Sequence, residues 1–101
     1  MTEGKITLSG FKLEEAEKAI VDNLIRSYKD KISEKIKFDE VRLRMKKSAR
    51  GKTFLHEVQG VMMPGRFNAK VTDYNLFSAL SGVLEKLTHE AEHNKRFNRQ
   101  K

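Results

Sequence analysis

Alternation between hydrophobic and polar residues predicts one β-strand near the start of this chain and another near its middle. In residues 5–10, Ile6 and Leu8 stand between polar neighbours, and Gly10 ends the run. In residues 38–52 the alternation is strict, so the side chains of a second strand divide between two faces, and "SARGK" at residues 48–52 supplies a turn. One face carries Val41, Leu43 and Met45, and the other carries Arg42, Arg44 and Lys46.

Two further strands are predicted on either side of Pro64 and Gly65. Residues 53–63 form the third strand, but their hydrophobic positions do not keep one parity, so we expect a β-bulge near Gly60. Pro64 and Gly65 suit the centre of a type II turn, because proline fixes φ and glycine adopts a positive φ. Residues 66–73 form the fourth strand, with Phe67, Ala69 and Val71 inward and Arg66, Asn68 and Lys70 outward.

Hydrophobic residues at steps of three and four predict two amphipathic helices. The first begins at Leu13 and has acidic residues in its first turn, where they interact favourably with the helix dipole. The second is capped by Asp73 or Asn75 and places Gly82 on its outer face. The predicted hydrophobic stripes are Leu13, Ala16, Ile20, Leu24, Tyr28, Ile32 and Ile36, then Leu76, Phe77, Leu80, Val83, Leu84, Leu87 and Ala91.

The resulting order is β-α-β-β-β-α, which predicts an α+β fold. We expect a four-stranded, mainly antiparallel sheet with both helices on one face, as in double-stranded-RNA-binding domains. The 101 residues suffice for a single domain, and its basic C-terminal tail runs from about residue 94 to 101. The other face of the sheet is left to solvent or to a partner.

The amino-acid composition indicates which kinds of partner and which kinds of site are expected. The chain has 21 Lys and Arg against 14 Asp and Glu, a formal net charge of +7, which favours a polyanion such as nucleic acid. It has no cysteine, so disulfides and thiolate metal sites are excluded. Its N-terminus lacks the apolar segment of a signal peptide, and no apolar run is long enough to span a bilayer. We expect a cytoplasmic protein without a membrane partner.

One short motif matches the pattern of zinc peptidases. Residues 89–93 read H-E-A-E-H, a match to H-E-x-x-H. At 100° per residue, His89 and His93 lie on the side of the last helix opposite Leu87, away from the core and from any substrate cleft. A catalytic zinc needs a third protein ligand, and no His, Asp, Glu or Cys follows His93. We therefore expect a solvated helix face, with no metal, cofactor or enzymatic activity, and keep a zinc hydrolase only as a remote alternative.

The cations fall into two groups that we predict to bind RNA. Between Arg42 and Lys52 there are six cations and no acid, and alternation directs three of them to one side of the second strand. A solvated polar face is the plain alternative, but a strand face of like charges costs stability unless a polyanion neutralises it. The first group is Arg42, Arg44, Lys46, Lys47, Arg50 and Lys52, joined by Arg66 and Lys70. The second is Lys86, His89, His93, Lys95 and Arg96.

Phe54 and Phe67 are assigned to the core, so no aromatic platform is expected on the sheet. In the first helix, Glu and Asp balance the lysines, so we expect this helix to form the electrically neutral back of the molecule. His56 and Glu57, the one adjacent acid–base pair, fall on opposite faces of a strand.

Three stretches resemble the short ribosome hibernation-promoting factors, also called the protein Y family. They are "ITLSG" before a long helix, the alternating basic strand "VRLRMKKS", and "PGRFNAKVTDYNLFSALSGVLEKL", and the resemblance covers nearly the whole chain. It implies a factor that binds the small ribosomal subunit in the RNA channel used by messenger and transfer RNA, and idles ribosomes under stress. It also implies roles for the basic strand and the last helix, where Glu90, Glu92 and Phe77 depart from the family pattern.

The short form lacks the domain that pairs two ribosomes, so we expect a monomer bound to a single ribosome and no small-molecule substrate. A free-standing double-stranded-RNA-binding module is the main alternative. Those modules carry a cationic cluster at the start of their last helix. Here that start reads "DYNLFSAL", without a cation. A purely protein-binding adaptor remains a further alternative, and its affinity would change little with salt.

Overall fold

The computed structural model describes residues 4–99, and the side chains of residues 4–93. Within that range the chain forms four strands and two helices in the predicted order. They are β1 (Lys5–Ser9), α1 (Glu15–Lys35), β2 (Glu40–Arg50), β3 (Thr53–Met63), β4 (Phe67–Asp73) and α2 (Leu76–Arg99). The predicted α+β fold is confirmed.

The strands lie in the order β1-β2-β3-β4 in one sheet. β1 pairs parallel to β2 because α1 carries the chain back to the starting end, and the other two pairs are antiparallel hairpins. The core lies between one face of this sheet and the two helices. We call that face the helix-covered face and the opposite one the open face.

The bulge expected near Gly60 is absent from the register, and this prediction is wrong. Pairing runs without interruption from Glu40↔Met63 to Arg50↔Thr53 on one side of β3, and from His56↔Asp73 to Met62↔Phe67 on the other. A glycine is instead required at position 60 because a larger residue would not fit beneath α2. A Cβ atom there would lie 2.7 Å from Val83 Cγ1 and 2.9 Å from Leu87 Cδ1, so the missing side chain lets α2 approach the sheet closely.

Gly82 of α2 does not lie on the outer face as expected. A Cβ atom at Gly82 would lie 3.2 Å from Val71 Cγ2, so this glycine faces β4. Two glycines, one on the sheet and one on the helix, therefore bring α2 down onto β3 and β4. The α2 stripe predicted from the sequence is otherwise correct, because six of its seven residues are buried and Phe77 is partly buried.

The stripe predicted for α1 is partly wrong. Ala16 and Ile20 are exposed, and the buried positions are Val21 and Ile32, with Leu24 partly buried between them. The helix also begins at Glu15, two residues later than expected. Its first turn is closed by Glu17, whose carboxylate accepts a hydrogen bond from the Glu14 amide at 3.1 Å. The error is confined to the first half of the helix, because the other five residues of the predicted stripe lie in or against the core: Leu13, Leu24, Tyr28, Ile32 and Ile36.

The caps follow the sequence, but the two turns differ from it in detail. β2 continues to Arg50, so the turn predicted at residues 48–52 is limited to Gly51 and Lys52. Asn75 caps α2, since its Oδ1 accepts a hydrogen bond from the Ser78 amide at 3.0 Å. In the turn before β4, Gly65 has the predicted positive φ, the Met63–Pro64 peptide bond is cis, and φ is also positive at Arg66. Arg66 therefore belongs to the turn, and β4 begins one residue later than predicted.

Candidate nucleic-acid interface

Four predicted cations lie together on the open face of the sheet. Strand alternation directs Arg42, Arg44 and Lys46 away from the buried residues of β2, and all three are exposed. Lys70 of β4 pairs with Gln59, which pairs in turn with Arg44, so Lys70 faces the same side in the same cross-strand row. The predicted coincidence of these two polar strand faces is thus confirmed by the register.

Acidic residues enter this surface from neighbouring positions. Glu40 precedes the basic stretch on the same face of β2, and its Oε1 lies 3.2 Å from Arg42 Nε. Glu57 of β3 is the cross-strand partner of Lys46. The open face is therefore predominantly but not uniformly cationic, unlike the expectation of a strand face of like charges. The Arg42 side chain remains 71% exposed in spite of its ion pair, so that pair stabilises the fold very little.

The remaining cations of the first predicted group do not join this surface equally. Arg50 keeps the parity of the open face but lies at the end of β2, and Lys52 lies in the turn to β3. Lys47 has the opposite parity and faces the same side as the helices. Arg66 lies in the turn at the opposite end of β3. The open-face cations are thus Arg42, Arg44, Lys46 and Lys70, and we use that name for these four.

The second predicted group lies on α2, on the other side of the sheet. Lys86, His89 and His93 are exposed, as predicted. The side chains of Lys95 and Arg96 lie outside the described residues. A groove of about 830 Å³ is lined by Lys86 and His89 of α2 and also by Lys70 of β4. Because β4 is an edge strand, the groove connects the cations of α2 with the open-face cations around the sheet edge.

Helix α1 also lines this groove, a contribution that was not predicted, because its balanced charges favoured α1 as the neutral back of the molecule. Lys31 and Lys35 line the groove together with Tyr28. Lys31 Nζ lies 5.3 Å from the centroid of the Tyr28 ring, and Lys35 Nζ lies 3.6 Å from Glu92 Oε1 of α2. The signal was present as lysines spaced along the second half of α1. The side of α1 facing α2 was not apparent from the sequence.

The groove is mixed in charge. Tyr28 donates a hydrogen bond from its hydroxyl to Glu85 Oε1 at 3.2 Å. Burial of the phenol and then the charge of Glu85 raise the pKa of Tyr28 above its usual value, so the hydroxyl stays protonated at neutral pH. Glu90 and Glu92 also line the groove. A polyanion is therefore better matched by the open-face cations than by the groove.

His56 and Glu57 lie on opposite faces of β3, as predicted. The His56 ring Nδ1 is 3.0 Å from the carbonyl oxygen of Tyr74, while Glu57 lies on the open face opposite Lys46. Among the described residues, no three His, Cys, Asp or Glu side chains are grouped as metal ligands, and His89 and His93 are solvent-exposed on α2. Neither helix, as far as it is described, is long and apolar enough to cross a membrane.

Phe54 is not in the core, and its assignment there is wrong. It is 49% exposed near the β2–β3 turn, with Lys47 Nζ 4.7 Å from the centroid of its ring. Phe67, by contrast, packs partly buried against the core as expected.

Comparison with known proteins gives a match in fold but not in sequence. No protein-family model and no curated protein matches the chain. The N-terminal domain of protein Y from Thermus thermophilus has a TM-score of 0.54, with 14% sequence identity over 92% of this chain and 98% of that one. A ribosomal subunit interface protein from Coxiella burnetii is 12% identical over 96% of this chain and 97% of that one, and its TM-score of 0.41 is too low to carry an argument. The chain therefore has the fold of the protein Y N-terminal domain, and the resemblance predicted from its sequence is confirmed at that level.

Proposed function

We propose that this protein is a ribosome-associated factor of the hibernation-promoting type. It binds the RNA of the small ribosomal subunit in the channel that messenger and transfer RNA use, and so idles the ribosome. The proposal joins the sequence resemblance to the fold shared with a protein Y domain. A ribosomal partner places the protein in the cytoplasm, where one copy binds one subunit without performing a chemical reaction.

The observation that carries the proposal is the arrangement of the open-face cations. Arg42 and Arg44 lie on the same side of β2, about 7 Å apart along the strand. Lys70 extends this pattern across the sheet in the row of Arg44. Such a two-dimensional set of exposed cations contacts several phosphates at once, whereas isolated surface lysines contact one.

Charge alone does not distinguish RNA from other polyanions, and several other positions of the open face add polar groups. Thr7 and Asn68 lie in the row of Arg42, and Ser9 lies in the row of Arg44. Hydroxyl and amide groups hydrogen-bond to phosphate oxygens and ribose, and such contacts fix the orientation of a protein on nucleic acid. The open face is therefore suited to an RNA backbone read by shape and charge.

Co-sedimentation with purified small subunits across a salt series tests the proposal. We expect the logarithm of the affinity to fall linearly with the logarithm of the salt concentration, because counterions are released from the RNA. Bound messenger RNA and initiator transfer RNA are expected to displace the protein. In a translation assay, added protein is expected to lower the yield.

Charge reversal of Arg42 and Arg44 to Glu is the decisive variant. Each lost phosphate contact is expected to lower the salt slope by about one, so the double variant loses at least about two and binds far more weakly. The matched control reverses Lys18 and Arg26, two exposed cations of α1, and changes the net charge equally. Equal loss in both variants, or binding that messenger RNA does not affect, contradicts a channel-bound factor.

A further inference from the structure

The hairpin of β2 and β3 extends beyond the rest of the sheet. β1 pairs with β2 only as far as Arg44, and β4 pairs with β3 only as far as His56. Three further residue pairs, from Ser48↔Leu55 to Arg50↔Thr53, therefore have no third strand. We call residues 48–55 the hairpin tip. Seven of its eight residues are exposed, and Leu55 is partly buried.

The hairpin tip carries an exposed aromatic ring, that of Phe54, which lies outside the hydrophobic core. Phe54 is cross-strand partner of Ala49 and shares the parity of His56, so it faces the helix side but lies closer to the turn. His56 contacts Tyr74 in the segment just before α2, so Phe54 lies past the start of that helix. Half of the Phe54 surface stays accessible even with Lys47 beside its ring.

The ring stands within a purely cationic segment. No acid occurs between Arg42 and His56. Lys47 lies on the same face as Phe54 and beside its ring, whereas Lys46 and Arg50 lie on the opposite face of the hairpin and Lys52 lies in its turn. An exposed ring that served a protein partner would be expected among neutral or mixed-sign neighbours. Exposed aromatic rings surrounded by cations are instead typical of surfaces that bind single-stranded nucleic acid, where the ring stacks on a base and the cations contact the phosphates.

Hydrogen bonds hold the hairpin in a defined shape. Thr53 donates from Oγ1 to the Arg50 carbonyl at 3.1 Å and closes the two-residue turn. At the base of the tip, His56 Nδ1 lies 3.0 Å from the Tyr74 carbonyl and attaches β3 to the segment before α2. Lys47 Nζ over the ring restricts Phe54 itself. A ring fixed in this way loses little conformational entropy when a base stacks on it.

We propose that the hairpin tip is a stacking site for an unpaired RNA base, with Phe54 as the platform and Lys47, which lies on the same face beside the ring, as the phosphate contact. The inference rests on the proposed function, because it takes the bound polyanion to be RNA. It adds a second kind of contact: the open-face cations bind backbone, and the tip binds a base. Stacking of this kind tolerates any base, so a free single strand is a sufficient ligand.

A tryptophan at position 54 reports stacking directly, since the chain has no other tryptophan. We would titrate Phe54→Trp with an unstructured RNA strand of about 12 nucleotides and with an abasic sugar–phosphate strand of equal length. At saturation, the RNA is expected to quench the tryptophan fluorescence, whereas the abasic strand is expected to leave it unchanged. Ile20→Trp is the matched control, because Ile20 is also 49% exposed but lies on α1. Its emission is expected to stay unchanged with both strands.

Binding of the Phe54→Leu variant completes the test. We expect its affinity for the RNA strand to fall about tenfold, and its affinity for the abasic strand to stay within about twofold of wild type. Absence of quenching by RNA, or equal quenching by both strands, overturns the stacking site. So does a Phe54→Leu variant that retains full affinity for the RNA strand, which would leave the ring to a protein partner.

Failure of the stacking site and failure of the proposed function give different results. If wild-type protein and Phe54→Leu co-sediment equally with small subunits while the Arg42/Arg44 reversal does not, only the stacking inference fails. If the wild-type protein does not co-sediment with small subunits at low salt, the proposed function itself fails.

Discussion

On the helix-covered face of β3, Val58, Gly60 and Met62 are buried beneath α2, whereas Gln59 on the open face of the same strand is exposed. Neighbouring residues of one strand are therefore subject to different constraints. On the helix-covered face, side-chain volume limits which residues are tolerated, because even one carbon atom added at Gly60 would collide with α2. On the open face, the charge and hydrogen-bonding capacity of a side chain determine its effect, and its volume matters little. Substitutions that separate folding from binding follow this division.

The largest expected loss of stability separates two isoleucines of α1. Ile32 is fully buried and Ile20 is 49% exposed. Ile32→Ala is expected to lower the free energy of unfolding by about 2–5 kcal/mol, since it removes packed atoms and leaves a cavity. Ile20→Ala, the control, is expected to change it by less than about 1 kcal/mol. Urea denaturation followed by circular dichroism measures both, and equal losses would contradict the packing of α1 described above.

A methyl group added at Gly60 is the next test. Gly60→Ala is expected to lower the free energy of unfolding by about 1–3 kcal/mol, because the new Cβ atom meets Val83, Leu87 and Leu43 at 2.7–3.0 Å. Gln59→Ala changes the adjacent residue on the open face and is expected to have little effect. Thermal unfolding of the two variants compares the two faces directly. A Gly60→Ala variant as stable as Gln59→Ala would mean that α2 is not held against β3 at this position.

Loss of the α2 cap has a smaller expected effect. Asn75→Ala removes the acceptor of the Ser78 amide and is expected to cost about 1 kcal/mol. Asn23→Ala, at an exposed position inside α1, serves as the control and is expected to be neutral or slightly stabilising, because alanine favours a helix interior. Chemical denaturation of both variants decides whether the loss is specific to the cap.

The smallest expected effect concerns an acid on the open face. Glu40→Gln removes the ion-pair partner of Arg42 and one negative charge, so we expect stability to change by less than about 1 kcal/mol. Affinity for small subunits is expected to rise by about two- to fivefold, because Arg42 no longer has to break its ion pair with Glu40 in order to contact a phosphate. Co-sedimentation at fixed salt detects the change, and weaker binding would show that Glu40 itself positions Arg42 for the RNA.

The parts of the fold that the sequence predicted are those with a strong local period. The stripe of α2, the alternation of β2 and the cap at Asn75 each depend on residues close together in the chain. The error at Gly60 arose because its reason lies in Val83 and Leu87, more than twenty positions away. The error at Ile20 has a similar origin, since Ile20 and Val21 are both strongly hydrophobic and only the packing distinguishes them.

The candidate site was predicted less completely for the same physical reason. Alternation placed Arg42 and Arg44 on one face correctly, but the approach of Glu57 to Lys46 depends on the register of two strands. Phe54 looked like a core residue, because a hydrophobic residue in a strand is usually buried. Its exposure follows from its place past the start of α2, which does not cover that end of β3.

Strand length also bears on how copies of this protein avoid each other. The two longest strands, β2 and β3, lie inside the described sheet, and the edges are β1, with five residues, and β4, with seven. Short edges offer few free amide and carbonyl groups to a strand from another molecule, so intermolecular sheet growth is disfavoured. At the hairpin tip, where the long strands do expose their edges, Arg50 and Lys52 repel a second copy. Positive charge at the tip thus opposes aggregation in the unbound protein.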